Sequence, residues 1–374
     1  MANATHLKTE ILAPLPDVFM KADGSRVSSP AEWEAHRAEL YRTAVELQYG
    51  GMPPEPEFLE VEALYHADRA SSYRIHTGRR EKEITFTMQI VWPGKRNTKS
   101  AIIVDGDGCF PYVYLDENLA VVHEAGAALI RFNRTELAHD IKEDVHTDGL
   151  YGVYPGMTFS ALAAWAWGYH RCVDAAIRLG IADESLIAFT GHSRGGKTAL
   201  LAGATDTRAT IVNPNGSGAG GAGCYRVHSL TRQENGNEQR SEELHDLLRN
   251  FPFWFGPDMK KYVEDETTIP FDEHFLKALV APRVLLDTEA LSDGWANPVG
   301  AYLTHLAVGE VYDFLGASEK NLIHYREGFH FHKPEDWKVL ADVIRHMRDG
   351  APLPEAINKT PFDGTAPAHE WKRP

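Results

Sequence analysis

The segment Ile187-Ala-Phe-Thr-Gly191-His192-Ser193-Arg194-Gly195-Gly196-Lys197-Thr-Ala-Leu-Leu201 constrains the fold more than any other stretch of this chain. Its first residues form a short apolar run, which reads as a buried strand. Thr198-Ala-Leu-Leu-Ala-Gly-Ala204 reads as the start of a buried helix. Between them stands Gly191-x-Ser193-x-Gly195. A strand that turns into a helix within so few residues forces strained dihedrals on the central serine. It also leaves no room for a Cβ at the flanking positions. The turn lifts the serine hydroxyl clear of the sheet and leaves the first helical N–H groups unpaired, where they can meet a developing negative charge.

The rest of the chain supplies a matching frame. Short apolar runs at Ala101–Val104, Ala127–Phe132, Leu186–Thr190, Ala209–Val212, Pro282–Leu286 and Leu322–Tyr325 read as strands. Phe159–Leu179, Asn297–Leu315 and Pro334–Met347 read as helices. Strands alternating with helices predict a mainly parallel, doubly wound sheet. Ahead of this frame, Ser29 caps a helix that runs to Gly50-Gly51. Two strands follow, Phe58–Tyr65 and Ile84–Trp92, joined by a polar hairpin. The expected organisation of residues 1–374 is a single α/β domain with a helix-and-hairpin extension over about 1–95 and an insertion near 225–270. The glycine run within 213–223 reads as too polar and too flexible for the core, lining the site with backbone groups.

Bulk properties narrow the partners. A net charge of −15 argues against nucleic acid and anionic membranes, though not against a small anionic substrate in a local cationic pocket. Cys109, Cys172 and Cys224 are odd in number and far apart, which is neither a disulfide framework nor a metal-ligand spacing. No cofactor and no metal are expected. Met1-Ala-Asn-Ala-Thr-His6 has no basic segment leading into an apolar run, and no membrane-length apolar stretch occurs. The expectation is a cytoplasmic protein, or a secreted one whose leader has been removed.

A serine hydroxyl needs a base to take its proton, and the base needs an acid to orient it. Gly191-x-Ser193-x-Gly195 between strand and helix is the nucleophile-elbow pattern of α/β-hydrolases, in which acid and base follow the serine in the order Ser, Asp/Glu, His. Asp293 and Glu289 both follow the strand ending at Leu286, and Asp293 is preferred. His330 and His332 both follow the strand ending at Tyr325, and His330 is preferred. His330-x-His332 on extended chain is also a zinc-binding spacing. Asp105-Gly-Asp-Gly-Cys109 stands where such folds place a second oxyanion donor, or is a plain turn. Arg194 and Lys197 set two cations at a helix N-terminus. That arrangement is unfavourable for the helix alone and sensible for a carboxyl-derived or hydroxyl-rich substrate. The chemistry is that of a serine carboxylic-ester hydrolase. Alternatives are a serine esterase for acetylated sugars and a non-catalytic carbohydrate-binding relative.

Several segments together are similar to the glucuronoyl esterases, carbohydrate esterase family 15. They are Gly191-His-Ser-Arg-Gly-Gly-Lys197, Asn215-Gly-Ser-Gly-Ala-Gly-Gly-Ala-Gly-Cys224, Phe251-Pro-Phe-Trp-Phe255, Asp293-Gly-Trp-Ala-Asn-Pro298 and Gly328-Phe-His330. The resemblance implies a three-layer α/β/α sandwich and an oligosaccharide substrate carrying a uronate, esterified to lignin alcohols. It implies Ser193 as nucleophile, His330 as base and Arg194 in the oxyanion hole. Lys197, Trp295 and Trp254 fall at substrate-binding positions. Three departures accompany it. Fungal members carry the acid where this chain has Gly216, which moves the acid to Asp293. The fungal cysteine ahead of the serine is His192. The sugar-binding glutamate near the Trp-Phe motif reads as lost, with Phe251 or Phe253 in its region.

Overall fold

The computed structural model describes residues 5–110, 116–143, 146–233, 235–362 and 364–374. The first four residues, on which the leader argument partly rests, lie outside them.

Twelve strands are described: β1 Thr5–Ile11, β2 Phe58–His66, β3 Ala70–Arg79, β4 Lys82–Val91, β5 Ser100–Asp105, β6 Ala127–Phe132, β7 Ala182–His192, β8 Ile211–Asn215, β9 Val227–Arg232, β10 Glu238–Arg240, β11 Val284–Ala290 and β12 Asn321–Arg326. Nine of them form one sheet in the order β12-β11-β8-β7-β5-β6-β4-β3-β2. From β12 to β6 all pairings are parallel, and β4, β3 and β2 continue antiparallel. This is the α/β-hydrolase three-layer sandwich.

The layers follow from the two-residue period of a strand. On β5, Ile102 and Val104 face one core and Ala101 and Ile103 the other. On β7, Ile187 and Phe189 oppose Leu186 and Ala188 in the same way. The first core is closed by the helices Ala161–Arg178 and Arg194–Thr205, through Trp165, Leu200 and Leu201 among others. The second is closed by the helices Asp116–Glu124 and Pro334–Asp349, through Val122, Trp337 and Leu340. Among the described residues no helix is long and apolar enough to cross a membrane.

Two expectations need correction. The polar hairpin between the first two strands is itself a strand, β3. Tyr73, Ile75 and Thr77 face inward, but the intervening Ser72, Arg74 and His76 disguise the alternation. The glycine run is buried throughout, not a flexible surface loop. Its polarity is tolerated because its own carbonyls find partners inside, as set out below. Outside the main sheet, β1, β9 and β10 form a separate antiparallel sheet. β9 and β10 lie between β8 and β11 in the chain and lead into the helix Leu244–Asn250 and the turn Pro252–Trp254.

Candidate active site

The groups named from the sequence stand at the carboxyl ends of parallel strands, where open α/β sheets place their ligands. Ser193 follows β7, Asp293 follows β11 and His330 follows β12. Ser193 has φ +57 and ψ −120, and the helix Arg194–Thr205 begins at once. A Cβ on Gly191 would fall on the Gly195 carbonyl, and one on Gly195 would fall on the Asp107 carboxylate. The two glycines are therefore steric requirements of the turn.

His330 Nδ1 lies 2.5 Å from Asp293 Oδ2, and Asp293 Oδ1 accepts from the Ala296 N–H at 3.2 Å. The aspartate is buried while the imidazole is 39% exposed, so Nε2 is open to a reactant. The loop that carries His330 is held from beneath by Arg326. Its guanidinium donates to the carbonyls of Glu327, Phe329 and Phe331, and to Asp336 at 2.8 Å. Arg326 escaped the sequence reading because its contacts to the histidine loop are to backbone, which leaves no pattern in the side chains.

The alternatives for acid and base occupy other places. Glu289 is fully buried on β11, with neither carboxylate oxygen hydrogen-bonded among the described residues. Burial, with Asp287 and Asp293 nearby, pushes its pKa well above the carboxylate range. His332 is stacked on Trp337 at 4.6 Å, and neither of its ring nitrogens has a partner. Its burial holds it neutral. The structure thus brings Asp293, not Glu289, to His330, and turns both ring nitrogens of His332 away from solvent. Among the described residues there is no group of three or more His, Cys, Asp or Glu arranged to hold a metal ion.

Arg194 is pinned in place. Nη1 donates to both oxygens of Asp140 at 3.0 and 3.1 Å. The guanidinium lies 4.7 Å from the ring centre of Trp254 and 5.0 Å from that of Phe251. Those two rings stack on each other at 3.9 Å, and the Trp254 indole N–H donates to Asp140. Trp254 therefore supports Arg194. The loop after β5 supplies less than its position suggested. Gly106 N–H donates to Tyr169 Oη, Asp107 N–H to Asp105, Gly108 N–H to the Phe132 carbonyl and Phe110 N–H to the Asp107 carbonyl. These four donors are committed within the protein, and Arg194 stands as a cationic donor beside Ser193. The Asp107 carboxylate accepts the His192 N–H at 2.8 Å and pairs with Arg134, bracing the elbow from below.

Lys197 points away from Ser193. Its ammonium, buried, donates to the Ser217 carbonyl at 2.6 Å, to the Ala219 carbonyl and to Glu242 Oε2 at 2.7 Å. Glu242 Oε1 accepts from the Trp295 indole at 3.2 Å. The apparent loss of a carboxylate here is corrected: Glu242, just beyond β10, occupies the space beside Lys197. No spacing rule reaches it, since it stands 45 residues from Lys197 next to a second glutamate, Glu243. Burial is the largest influence on the Glu242 carboxyl and raises its pKa, while Lys197 and Trp295 oppose the rise. Glu242→Ala is expected to cost about 3 kcal/mol of stability, because it strands a buried ammonium that keeps only carbonyl partners. Urea unfolding measures this, with Glu242→Gln as the milder comparison.

Two cavities meet at His330. One, of about 220 Å³, is bounded by Asp107, Phe110, His192, Ser193, Arg194, His330 and Phe331. The other, of about 570 Å³, includes Gln239, Asp293, Trp295, Phe329 and His330 in its walls.

Residues 75–316 match the family model described as glucuronyl esterase, fungi. The chain belongs to the glucuronyl esterase family. Its members are serine carboxylic-ester hydrolases. The 4-O-methyl-glucuronoyl methylesterase 1 of Wolfiporia cocos is 30% identical over 309 residues, covering 81% of this chain and 72% of that one. The 4-O-methyl-glucuronoyl methylesterase of Podospora anserina is 32% identical over 303 residues, 79% of this chain and 59% of that one. The chain therefore spans between about three-fifths and three-quarters of these two relatives. Among solved structures, a family 15 glucuronoyl esterase from Caldicellulosiruptor kristjansonii superimposes with a TM-score of 0.83 at 28% identity, over 97% of each chain.

Proposed function

We propose that this glucuronyl esterase hydrolyses uronate esters through an acyl-enzyme, with Ser193 as nucleophile, His330 as base and Asp293 as its orienting acid. The observation that carries this reading is the buried Asp293 on His330 Nδ1, in a cavity wall shared with Ser193. Asp293 fixes the proton on Nδ1, so Nε2 is the lone pair that takes the serine proton. Ser193 Oγ attacks the ester carbon, and the carbonyl oxygen gains charge against the Arg194 guanidinium and the free N–H groups at the helix start. His330 then protonates the departing alkoxide, and water releases the acid.

The substrate class rests on the second cavity and on the names of the relatives. Lys197, Glu242 and Trp295 join a cation, a carboxylate and an indole in one hydrogen-bonded group, with Trp295 in the wall of the larger cavity. Such a group suits a hydroxyl-rich ring. With the sugar on that side, the acyl half of the ester is the uronate, and the alcohol leaves toward Phe110 and Phe331. The net charge of −15 argues against nucleic acid or an anionic membrane as a partner.

The test is a comparison of methyl and benzyl esters of 4-O-methyl-glucuronate with acetylated xylosides. Turnover of the uronate esters is the expected result. Faster cleavage of the acetates would place the sugar on the alcohol side and overturn the assignment. A protein inert to both and unreactive to a fluorophosphonate would be a carbohydrate binder. Arg194→Ala is expected to lower kcat by about 10²–10³ with little change in KM, the loss that follows removal of one oxyanion donor. A raised KM at unchanged kcat would make Arg194 a substrate binder instead.

A further inference from the structure

The mechanism above leaves one polar side chain of the small cavity unused. It is His192, the residue ahead of the nucleophile. Its proton can be placed. Asn215 Nδ2 donates to Thr288 Oγ1 at 2.9 Å and to the Thr288 carbonyl at 3.3 Å, so Asn215 Oδ1 is an acceptor. His192 Nδ1 lies 2.7 Å from that oxygen and must carry the hydrogen. Nε2 is then a bare lone pair. It makes no hydrogen bond among the described residues and, unlike both nitrogens of His332, is not sealed from solvent. Its ring centre is 4.4 Å from that of His330. Burial, and the charge of His330 when protonated, lower its pKa to about 3, so the lone pair persists throughout turnover.

The neighbours of that lone pair define its use. Once the alcohol has left, a water must enter the same cavity. His330 Nε2 accepts one of its hydrogens. The second needs another acceptor, and the walls offer few. Phe110 and Phe331 are apolar, and Arg194 only donates. The Asp107 carboxylate already accepts from the His192 N–H and pairs with Arg134.

We propose that His192 Nε2 is a catalytic group of deacylation, which seats the hydrolytic water by accepting its second hydrogen. The inference rests on the acyl-enzyme reading. In the step, His330 Nε2 removes one proton as the water oxygen bonds to the acyl carbon, while the remaining O–H donates to His192. The C–Oγ bond then breaks, and His330 returns the proton to Ser193. An attacking alcohol has only one O–H and has no need of His192. His192 therefore sets the balance between hydrolysis and transfer to alcohols.

The experiment uses benzyl 4-O-methyl-glucuronate with methanol as a competing nucleophile. His192→Phe removes the lone pair. His192→Gln restores an acceptor, since the amide oxygen of glutamine can take the second hydrogen of the water. In His192→Phe the initial burst of benzyl alcohol is expected within about threefold of wild type, while acid release slows about tenfold and the ratio of methyl ester to acid rises about tenfold; His192→Gln is expected to bring both most of the way back to wild type. Nitrogen NMR of the wild-type His192 ring is expected to show Nδ1 protonated and Nε2 unprotonated. Burst and acid release falling together, or an unchanged product ratio, would overturn the inference. If the acyl-enzyme reading itself were wrong, wild type would release benzyl alcohol and acid strictly together and form no methyl ester with methanol.

Discussion

Ser193→Ala is expected to abolish turnover, lowering kcat on a glucuronate ester by about a millionfold while leaving the fold and substrate binding in place. Deleting the nucleophile of a triad costs about as much as deleting the whole triad, because the three groups act as one unit. The frame around the deletion stays intact. The Ser193 N–H still donates to the Asn215 carbonyl at 2.9 Å, and the Lys197 N–H still donates to the residue 193 carbonyl. The left-handed φ at 193 is imposed by the strand-to-helix turn and remains equally strained for alanine. Steady-state rates, fluorophosphonate labelling and a thermal melt check this together. Loss of rate and label with an unchanged melt is the expected set. Residual turnover within about a hundredfold of wild type would remove Ser193 from the reaction.

Asp293→Asn is the second large effect, a loss of about 10⁴ in kcat, and its cause is a proton in the wrong place. The Ala296 N–H donates to Asp293 Oδ1. In the variant the amide oxygen keeps that bond, so the NH₂ group faces His330. A donor at that position makes Nδ1 the acceptor and moves the ring hydrogen to Nε2, where it blocks uptake of the serine proton. Glu289→Gln is the matched control. Burial favours its protonated form, its oxygens have no hydrogen-bond partner among the described residues, and an amide has the same shape. Less than a threefold change in kcat is expected there. A reversal of the two results would make Glu289 the acid.

How far the sequence could be read depended on range. The elbow, the parallel strands and the long helices were legible because each is encoded within about a dozen neighbouring residues by apolar periodicity and turn glycines. β3 was not, since serine, arginine and histidine on its outer face mask the inward Tyr73 and Ile75. The order serine, acid, histidine was legible, but the choice between Asp293 and Glu289 was not. Both follow the same strand, and only the path of the loop decides which meets the imidazole. Glu242 and Arg326 were invisible for a common reason. Each works through partners brought near by the fold, and nothing in their own neighbourhood marks them. The glycine run was misjudged because flexibility in an isolated chain says little about a segment whose carbonyls hold a buried ammonium.

Gly216 carries an implication for how such enzymes diverge. A Cβ there would stand 3.6 Å from Asp293 Oδ2 and 3.4 Å from the His192 ring. The position to which the family resemblance assigns the fungal acid therefore opens onto the carboxylate that meets His330. Two separate strand ends, β8 and β11, are addresses for one carboxylate. A lineage can gain the acid at one address before losing it at the other, so the triad can be rewired through ancestors that never lack a working base.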